Sequence, residues 1–195
     1  MLTRNTFFVR EHVALIKLTG AYDILDPETQ AIIGIAREEP PAWAKYLRLV
    51  VSRQFLPTVV NVYESEDQPP LFSIQKPFSF LRSKVTVIDG SGTPFGYFVS
   101  KLFSFGGGFF VYDMEDRQVA EIKGDWKGWN FKFISVDNVE IGTVTKKWAG
   151  IGKELFTSAD SYIISLSDGV AEDEAVKMLL LAAGLAIDIV FKGRK

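Results

Sequence analysis

The 195-residue sequence predicts a mainly β, single-domain protein. Its strands, roughly ten to twelve, form an antiparallel meander closed into a β-barrel around a central hydrophobic C-terminal helix. Three observations lead there. A hairpin-like pattern recurs along the chain, the last two dozen residues are almost wholly apolar, and no helical stretches alternate with the strands as α/β order would require. Sixteen Phe and a 47% hydrophobic content supply the large core such a barrel needs.

The recurring pattern is seen in "YDILDPETQAIIGIA", "VTVIDGSGTPFGYFV", "FFVYDMEDRQVAEIK" and "FKFISVDNVEIGTVT". In each, alternating apolar residues lead to an Asp, a short polar segment, and a second apolar run. The Asp positions are Asp26, Asp89, Asp113 and Asp137, the last three spaced 24 residues apart. "VVNVYESEDQPPLFSI" fits the same frame with Glu64 at its turn. Period-2 alternation marks a half-buried strand. Asp and Asn favour turns because they bond their own backbone, and Gly because it tolerates positive φ. A 24-residue period holds two strands and two turns, and closing the meander removes exposed edges.

Between the first and second units, "EEPPAWAKYLRLVV" fits a short helix around Trp43–Leu49, a strand or a loop. "FSFGGGFF" at Phe103–Phe110 predicts a hairpin turn. It lacks the G-x-G-x-x-G order of a dinucleotide loop. "GDWKGW" at Gly124–Trp129 places two tryptophans around a turn, suited either to a membrane interface or to plugging a barrel end.

The tail "EDEAVKMLLLAAGLAIDIVFKGRK" raises a choice between membrane span and core helix. Met178–Phe191 contains one charged residue, Asp188. Its 14 residues make ~21 Å of helix, whereas a bilayer core of ~30 Å needs ~20 apolar residues. Extension back to Ala171 adds Glu172, Asp173, Glu174 and Lys177. A helix of about 170–191, apolar nearly all round, therefore reads as buried in protein, filling the space left by strands over about 5–166. Membrane insertion and a groove-docking tail are the alternatives. Gly184 suggests close approach to the wall, and a buried Asp188 needs a polar partner. Ser167 and Asp168 are N-cap candidates, with Glu172–Glu174 in the first turn.

Composition excludes several chemistries. The sequence has no cysteine, hence no disulfide, thiolate metal site or cysteine nucleophile. A single histidine, His12, rules out a multi-imidazole metal site, and no G-x-S-x-G elbow accompanies it. No pair of carboxylates stands out for acid–base work, so the protein is expected not to be an enzyme. The net charge of -2 gives no case for nucleic acid as a partner. The opening "MLTRNTFFVREHVALIKL" lacks the apolar core and cleavage site of a secretory signal, which makes a cytoplasmic location the expectation.

Three segments carry a family resemblance. "FFVREHVALIKLTGAYDILDPETQAIIGIAREEPP" resembles the phospholipid scramblase opening "Y-x-V-x-E…Y-D-I-x-D-P-E-T". "GTVTKKWAGIGKELFTSADSYIISL" resembles "K-x-W-x-G-x-x-x-E-x-F-T-D-A-D-x-F/Y", and "LLLAAGLAID" resembles the closing "GAxFLID" helix. The chain is thus similar over its whole length to the phospholipid scramblase and LURP-one-related branch of the tubby C-terminal-like superfamily. That resemblance implies a closed antiparallel barrel of about twelve strands around a central hydrophobic C-terminal helix. It also implies a calcium-responsive, membrane-associated lipid binder, although no cysteine is present for palmitoylation.

The resemblance maps the family's calcium segment to Asp160–Asp168, with Ser158 and Ser161 where the family has Asp and often Asn. The candidate ligand set is Asp160, Ser161, Asp168 and Glu172. Because calcium takes six to eight oxygens, the favoured reading is that Asp160 ends a turn, Asp168 caps a helix, and no cofactor is required. Basic residues interleaved with aromatics lie in "KPFSFLRSK" (Lys76, Arg82, Lys84) and "KKW" (Lys146, Lys147, Trp148). They suit an anionic membrane surface, with rings at headgroup level and cations on phosphate. Solvated strands with their rings turned inward are the plainer alternative. The expected function is non-catalytic, peripheral binding of anionic phospholipid. A scramblase inserted through residues 171–191, and an intracellular protein-interaction domain with an unspecified partner, are the other readings.

Overall fold

The computed structural model describes residues 1–12, 19–52, 54–102, 106–125, 127–146, 161–168, 170 and 173–191. Twelve strands run in chain order. They are β1 (Thr6–Glu11), β2 (Ala21–Leu25), β3 (Ile32–Glu38), β4 (Thr58–Tyr63), β5 (Phe72–Lys76) and β6 (Lys84–Asp89), then β7 (Pro94–Ser100), β8 (Gly108–Tyr112), β9 (Gln118–Asp125), β10 (Asn130–Ser135), β11 (Glu140–Thr145) and β12 (Ser161–Leu166). Each pairs antiparallel with its sequence neighbours, and β12 returns to β1, where Phe7 faces Ile164 and Val9 faces Tyr162. The sheet is therefore a closed twelve-strand barrel, as the sequence led us to expect.

Three of the four repeated aspartates make the turns they were expected to make. Asp26 Oδ1 accepts from the backbone N–H groups of Glu28 (2.9 Å) and Thr29 (3.1 Å). Asp89 does so from Ser91 and Thr93, and Asp113 from Glu115 and Arg117. At the fourth unit the serine before Asp137 takes over: Ser135 Oγ accepts from Val139 N–H at 3.1 Å. These bonds hold Asp26, Asp89 and Asp113 below the usual carboxylate range, though burial works against that shift in all three.

Alternation sorts the wall. Phe131 and Phe133 of β10 point into the core, while Lys132 points out and pairs with Glu140 of β11 at 2.7 Å. On β9, Ala120 and Ile122 point in, and Lys123 pairs with Glu121 on the outside at 3.0 Å. The apolar face is thus the inner one, the reverse of a barrel whose wall faces acyl chains.

Helix α2 (Glu174–Phe191) runs through the barrel. Leu180, Leu181, Leu185, Ile187, Val190 and Phe191 are buried on every side of it. It begins later than expected: Asp173 Oδ1 accepts from Ala175 N–H at 2.8 Å, so Asp173 supplies the cap, not Ser167 or Asp168. At Gly184 helix and wall lie close together, since a Cβ there would stand 2.4 Å from Ile164 Cδ1. Asp188 has its polar partner in Tyr22, whose hydroxyl donates to Oδ2 at 2.7 Å. Burial, then the nearby Asp188 charge, pushes the phenols of Tyr22 and Tyr162 well above their ordinary range, so both remain neutral. Among the described residues no helix is long and apolar enough to cross a membrane.

Between β3 and β4 the chain forms α1 (Ala42–Leu47), a helix in the place where helix, strand and loop were all open. Pro41 precedes its first turn, where a missing N–H costs nothing.

Candidate functional site

Because every strand pairs with its neighbours in chain order, alternate connections gather at one end of the barrel. One end carries α1 and the β5–β6, β7–β8 and β9–β10 connections. The other carries the turns at Asp26, Asp89 and Asp113 and admits α2. Phe191, the last residue of α2, lies at the α1 end, with its ring 5.3 Å from that of Phe109 and against Gly107. At Gly107 the backbone is left-handed (φ 80°) and a Cβ would reach 3.0 Å from the Phe191 ring, so glycine is needed there twice over.

At the α1 end, the β5–β6 connection 77–83 projects beyond the wall. Phe80 and Leu81 are about three-quarters exposed (74% and 75%), and Phe78 is exposed as well. The loop is braced. Ser79 N–H donates to Phe55 O at 3.0 Å, the Phe55 and Phe80 rings stack at 5.6 Å, and Ser83 N–H donates to Ser100 Oγ at 2.8 Å. Arg82 Nε donates to Ser100 O at 3.1 Å, and Lys84 Nζ lies 3.8 Å above the Tyr97 ring. Both cations are exposed beside the rings. Phe78 and Phe80 therefore do not turn inward, contrary to the plainer alternative for this segment.

Lys76 does not belong to that surface. The β5 alternation turns its side chain into the barrel, where it is 1% exposed. Its ammonium donates to Leu56 O at 2.7 Å, and burial pulls its pKa down to about 8, with Glu38 opposing and Arg48 adding to the shift. A headgroup cannot reach it. Around it lies a buried polar set that sequence reading missed. Arg48 pairs with Glu38 Oε1 at 2.5 Å and bonds Thr58, while Glu38 Oε2 accepts from Gly20 N–H at 2.8 Å. This set pins the C-terminal end of α1 to the wall.

The second basic group is only partly described. Lys146 Nζ stands 4.5 Å over the Trp129 ring, which stacks on Tyr162 at 5.3 Å and packs against the core. Trp129 is thus a plug of the barrel end. Lys147 and Trp148 lie outside the described residues. Lys146 follows β11, nearly opposite β6 around the ring of strands, so Arg82 and Lys84 share an end with Lys146 but not a side.

Of the calcium candidates, the described pair Ser161 and Asp168 does not converge. Ser161 opens β12, whose five extended steps span ~16 Å at the usual rise, and Asp168 lies two residues past its far end. One calcium ion, with ligands at ~2.3–2.6 Å, cannot touch both. Ser161 is buried at the α1 end, and Asp168 is exposed at the other. Asp160 and Glu172 lie outside the described residues. Among the described residues no three His, Asp or Glu gather as a metal cage. His12 is engaged by Asp23, its Nε2 2.8 Å from Oδ1.

No curated protein and no solved structure matches the chain. A family model described as Scramblase matches residues 19–193, from the approach to β2 through the whole of α2. The match covers nearly the full length and takes in every strand but β1 together with the central helix, so the chain belongs to the scramblase family, a lipid-related family.

Proposed function

We propose that this domain is a non-catalytic, peripheral binder of anionic phospholipid, working through the α1 end of its barrel. The observation that carries this reading is the braced loop 77–83: Phe78, Phe80 and Leu81 stand out of the wall beside Arg82 and Lys84. The segment 77–84 contains no carboxylate. Rings at headgroup depth with cations on phosphate are the usual chemistry of such an interface. Each cation near an anionic leaflet contributes ~1 kcal/mol.

Insertion of α2 as a membrane rod is the competing mechanism. The location of α2 supports the peripheral reading instead, because its Leu, Ile and Phe side chains are already covered by strands. Leaving the barrel would expose that core and carry Lys177 and Asp188 into hydrocarbon. Calcium has no role in this reading, in keeping with the separation of Ser161 from Asp168.

Flotation with phosphatidylserine-containing and purely phosphatidylcholine vesicles tests the proposal. Binding to the anionic vesicles is expected, weakened by salt and unchanged by a calcium chelator. The paired change Arg82→Gln with Lys84→Gln should lower it by roughly an order of magnitude, from two lost charges. Equal binding to neutral vesicles, or retention that high salt does not reverse, would reject the peripheral electrostatic reading.

A further inference from the structure

From the distribution of charge and exposed apolar side chains we infer that the barrel stands end-on at an anionic bilayer, with α1 and the chain just after it inserted beside loop 77–83 and the α2-entry end facing away. This deepens the peripheral-lipid reading and rests on it.

The first ground is apolar surface. Helix α1 presents Trp43, Tyr46 and Leu47 to solvent, and the turn after it adds Leu49 and Val50, the last 81% exposed. Together with Phe78, Phe80 and Leu81 they account for eight of the fourteen exposed large hydrophobic residues described. Leu102, on the β7–β8 connection, is a ninth at the same end. Scattered surface hydrophobics need no explanation, but a concentration on one rim marks an interaction surface. The rim is also held rigid, because the buried Glu38–Arg48 pair fastens α1 and the Phe55–Phe80 stack ties its following segment to loop 77–83.

The second ground is charge. Among the described residues, the connections of the α1 end hold six cations (Lys45, Arg48, Arg82, Lys101, Lys127 and Lys146) against one carboxylate, Glu39. Of these, Arg48 pairs with Glu38 and Lys101 with Glu121. At the opposite end the balance reverses. The connections 26–31, 64–71, 90–93, 113–117, 136–139 and 167–173 hold eleven described carboxylates, against Arg117, which pairs with Asp113 and Glu115, and, from the segment before β1, Arg4 and the N-terminal ammonium, which pair with Asp26 and Glu64. A 24-residue repeat produces this asymmetry: two strands bring the chain back to the same end, so each repeat deposits its turn carboxylate there. An anionic leaflet attracts one end and repels the other. That complementarity favours lipid over a second copy of the chain, whose matching rim would meet it with like charge.

The absence of cysteine makes a direct test practical. Single cysteines replace Val50 or Leu81 at the α1 end, or Met114 or Val136 at the other, all four positions being exposed. Each full-length variant carries an NBD fluorophore and is mixed with phosphatidylserine–phosphatidylcholine vesicles. A severalfold emission increase with a blue shift at 50 and 81, and none at 114 and 136, supports the inference. The paired change Leu49→Ser with Val50→Ser should lower vesicle affinity about tenfold or more with melting temperature unchanged. Responses at 114 and 136, or equal responses at both ends, would overturn the orientation while vesicle flotation, and with it the peripheral reading, stood. Loss of flotation altogether would overturn both. A dimer in phosphatidylserine-free buffer that the paired serine change converts to monomer would assign the rim to a second copy and overturn the lipid inference.

Discussion

Replacing Gly184 by alanine probes the contact on which the barrel's interior depends. A Cβ at 184 would lie 2.4 Å from Ile164 Cδ1, 2.9 Å from Ile164 Cγ1 and 3.4 Å from Tyr162 Cε2. Carbon atoms prefer ~3.5–4.0 Å, so helix and strand must part by about 1 Å, or Ile164 must leave its rotamer. The helix cannot retreat freely, because other strands enclose it. Overpacking of this kind costs ~1–3 kcal/mol. Alanine returns about 1 kcal/mol as the better helix former. The expected net loss is therefore between ~0 and ~2 kcal/mol, and its sign alone would decide little. The partner mutation sharpens it. Ile164→Val removes Cδ1, the atom in deepest conflict, and alone should cost ~0.5–1.5 kcal/mol. In the Gly184→Ala background the same change removes the 2.4 Å contact, leaving the 2.9 Å approach to Cγ1 for a small shift to relieve, and the new methyl fills the space. It should then be neutral or stabilising, a coupling of about 1–2 kcal/mol. Urea unfolding of the four proteins followed by far-ultraviolet circular dichroism gives this coupling directly, and each kcal/mol corresponds to ~2–4 °C in melting temperature. Additive effects, or a Gly184→Ala protein more stable than the parent by the full propensity gain, would mean that α2 does not lie against β12 at this point.

Three further outcomes are expected. Stability should rise between pH 8 and about 10, because the folded-state pKa of Lys76 is depressed to about 8 from 10.5. The unfolded chain binds that proton more tightly, so the stability present above the unfolded pKa is lost as pH falls through 8, with a slope of at most ~1.4 kcal/mol per unit. Above pH 10 the slope reverses, since the raised phenols of Tyr22 and Tyr162 lose stability as pH increases. Lys76→Met should abolish the rise but not the fall, and urea midpoints across this range would reveal a flat wild-type profile if the burial were misassigned. Tyr22→Phe removes the 2.7 Å donor to buried Asp188 and should cost ~1–3 kcal/mol; an unchanged melting temperature would contradict the role given to that bond. Ending the chain at 173 removes seven large buried side chains, Leu180, Leu181, Leu185, Ile187, Ile189, Val190 and Phe191. At ~1.5–3 kcal/mol each, together ~10–21 kcal/mol, they match or exceed the ~5–15 kcal/mol stability of a typical domain, so no cooperative thermal transition should remain.

Some of the candidate surface was legible in the sequence. "PFSFLRSK" announces rings and cations together, and the loop keeps both outside. Lys76 was misplaced because alternation fixes only that β5 has two faces, and the Leu56 carbonyl that holds its ammonium arrives from a segment 20 residues away. Trp43, Tyr46, Leu49 and Val50 were passed over because a helix of six residues carries too few turns for its face to be read, and an apolar stretch looks the same whether it is covered or bare. Two of the calcium candidates were harder to place for a different reason. Ser161 and Asp168 are near in sequence, but β12 is extended and keeps them at opposite ends of the barrel.

The sequence by itself determined the strands, the turns and the fate of the tail. Period-2 alternation, Asx turns and a 14-residue apolar run interrupted by Asp188 are local properties, each enforced by the backbone and water within a few residues. Its 24-residue spacing even contained the charge asymmetry, since two strands return the chain to the same end. The tertiary structure alone decided which rings remain uncovered, which lysine turns inward, and that α1 shares a rim with loop 77–83. Those outcomes depend on closure, which brings together segments far apart in the chain and leaves a side chain wet or dry according to what the opposite wall supplies.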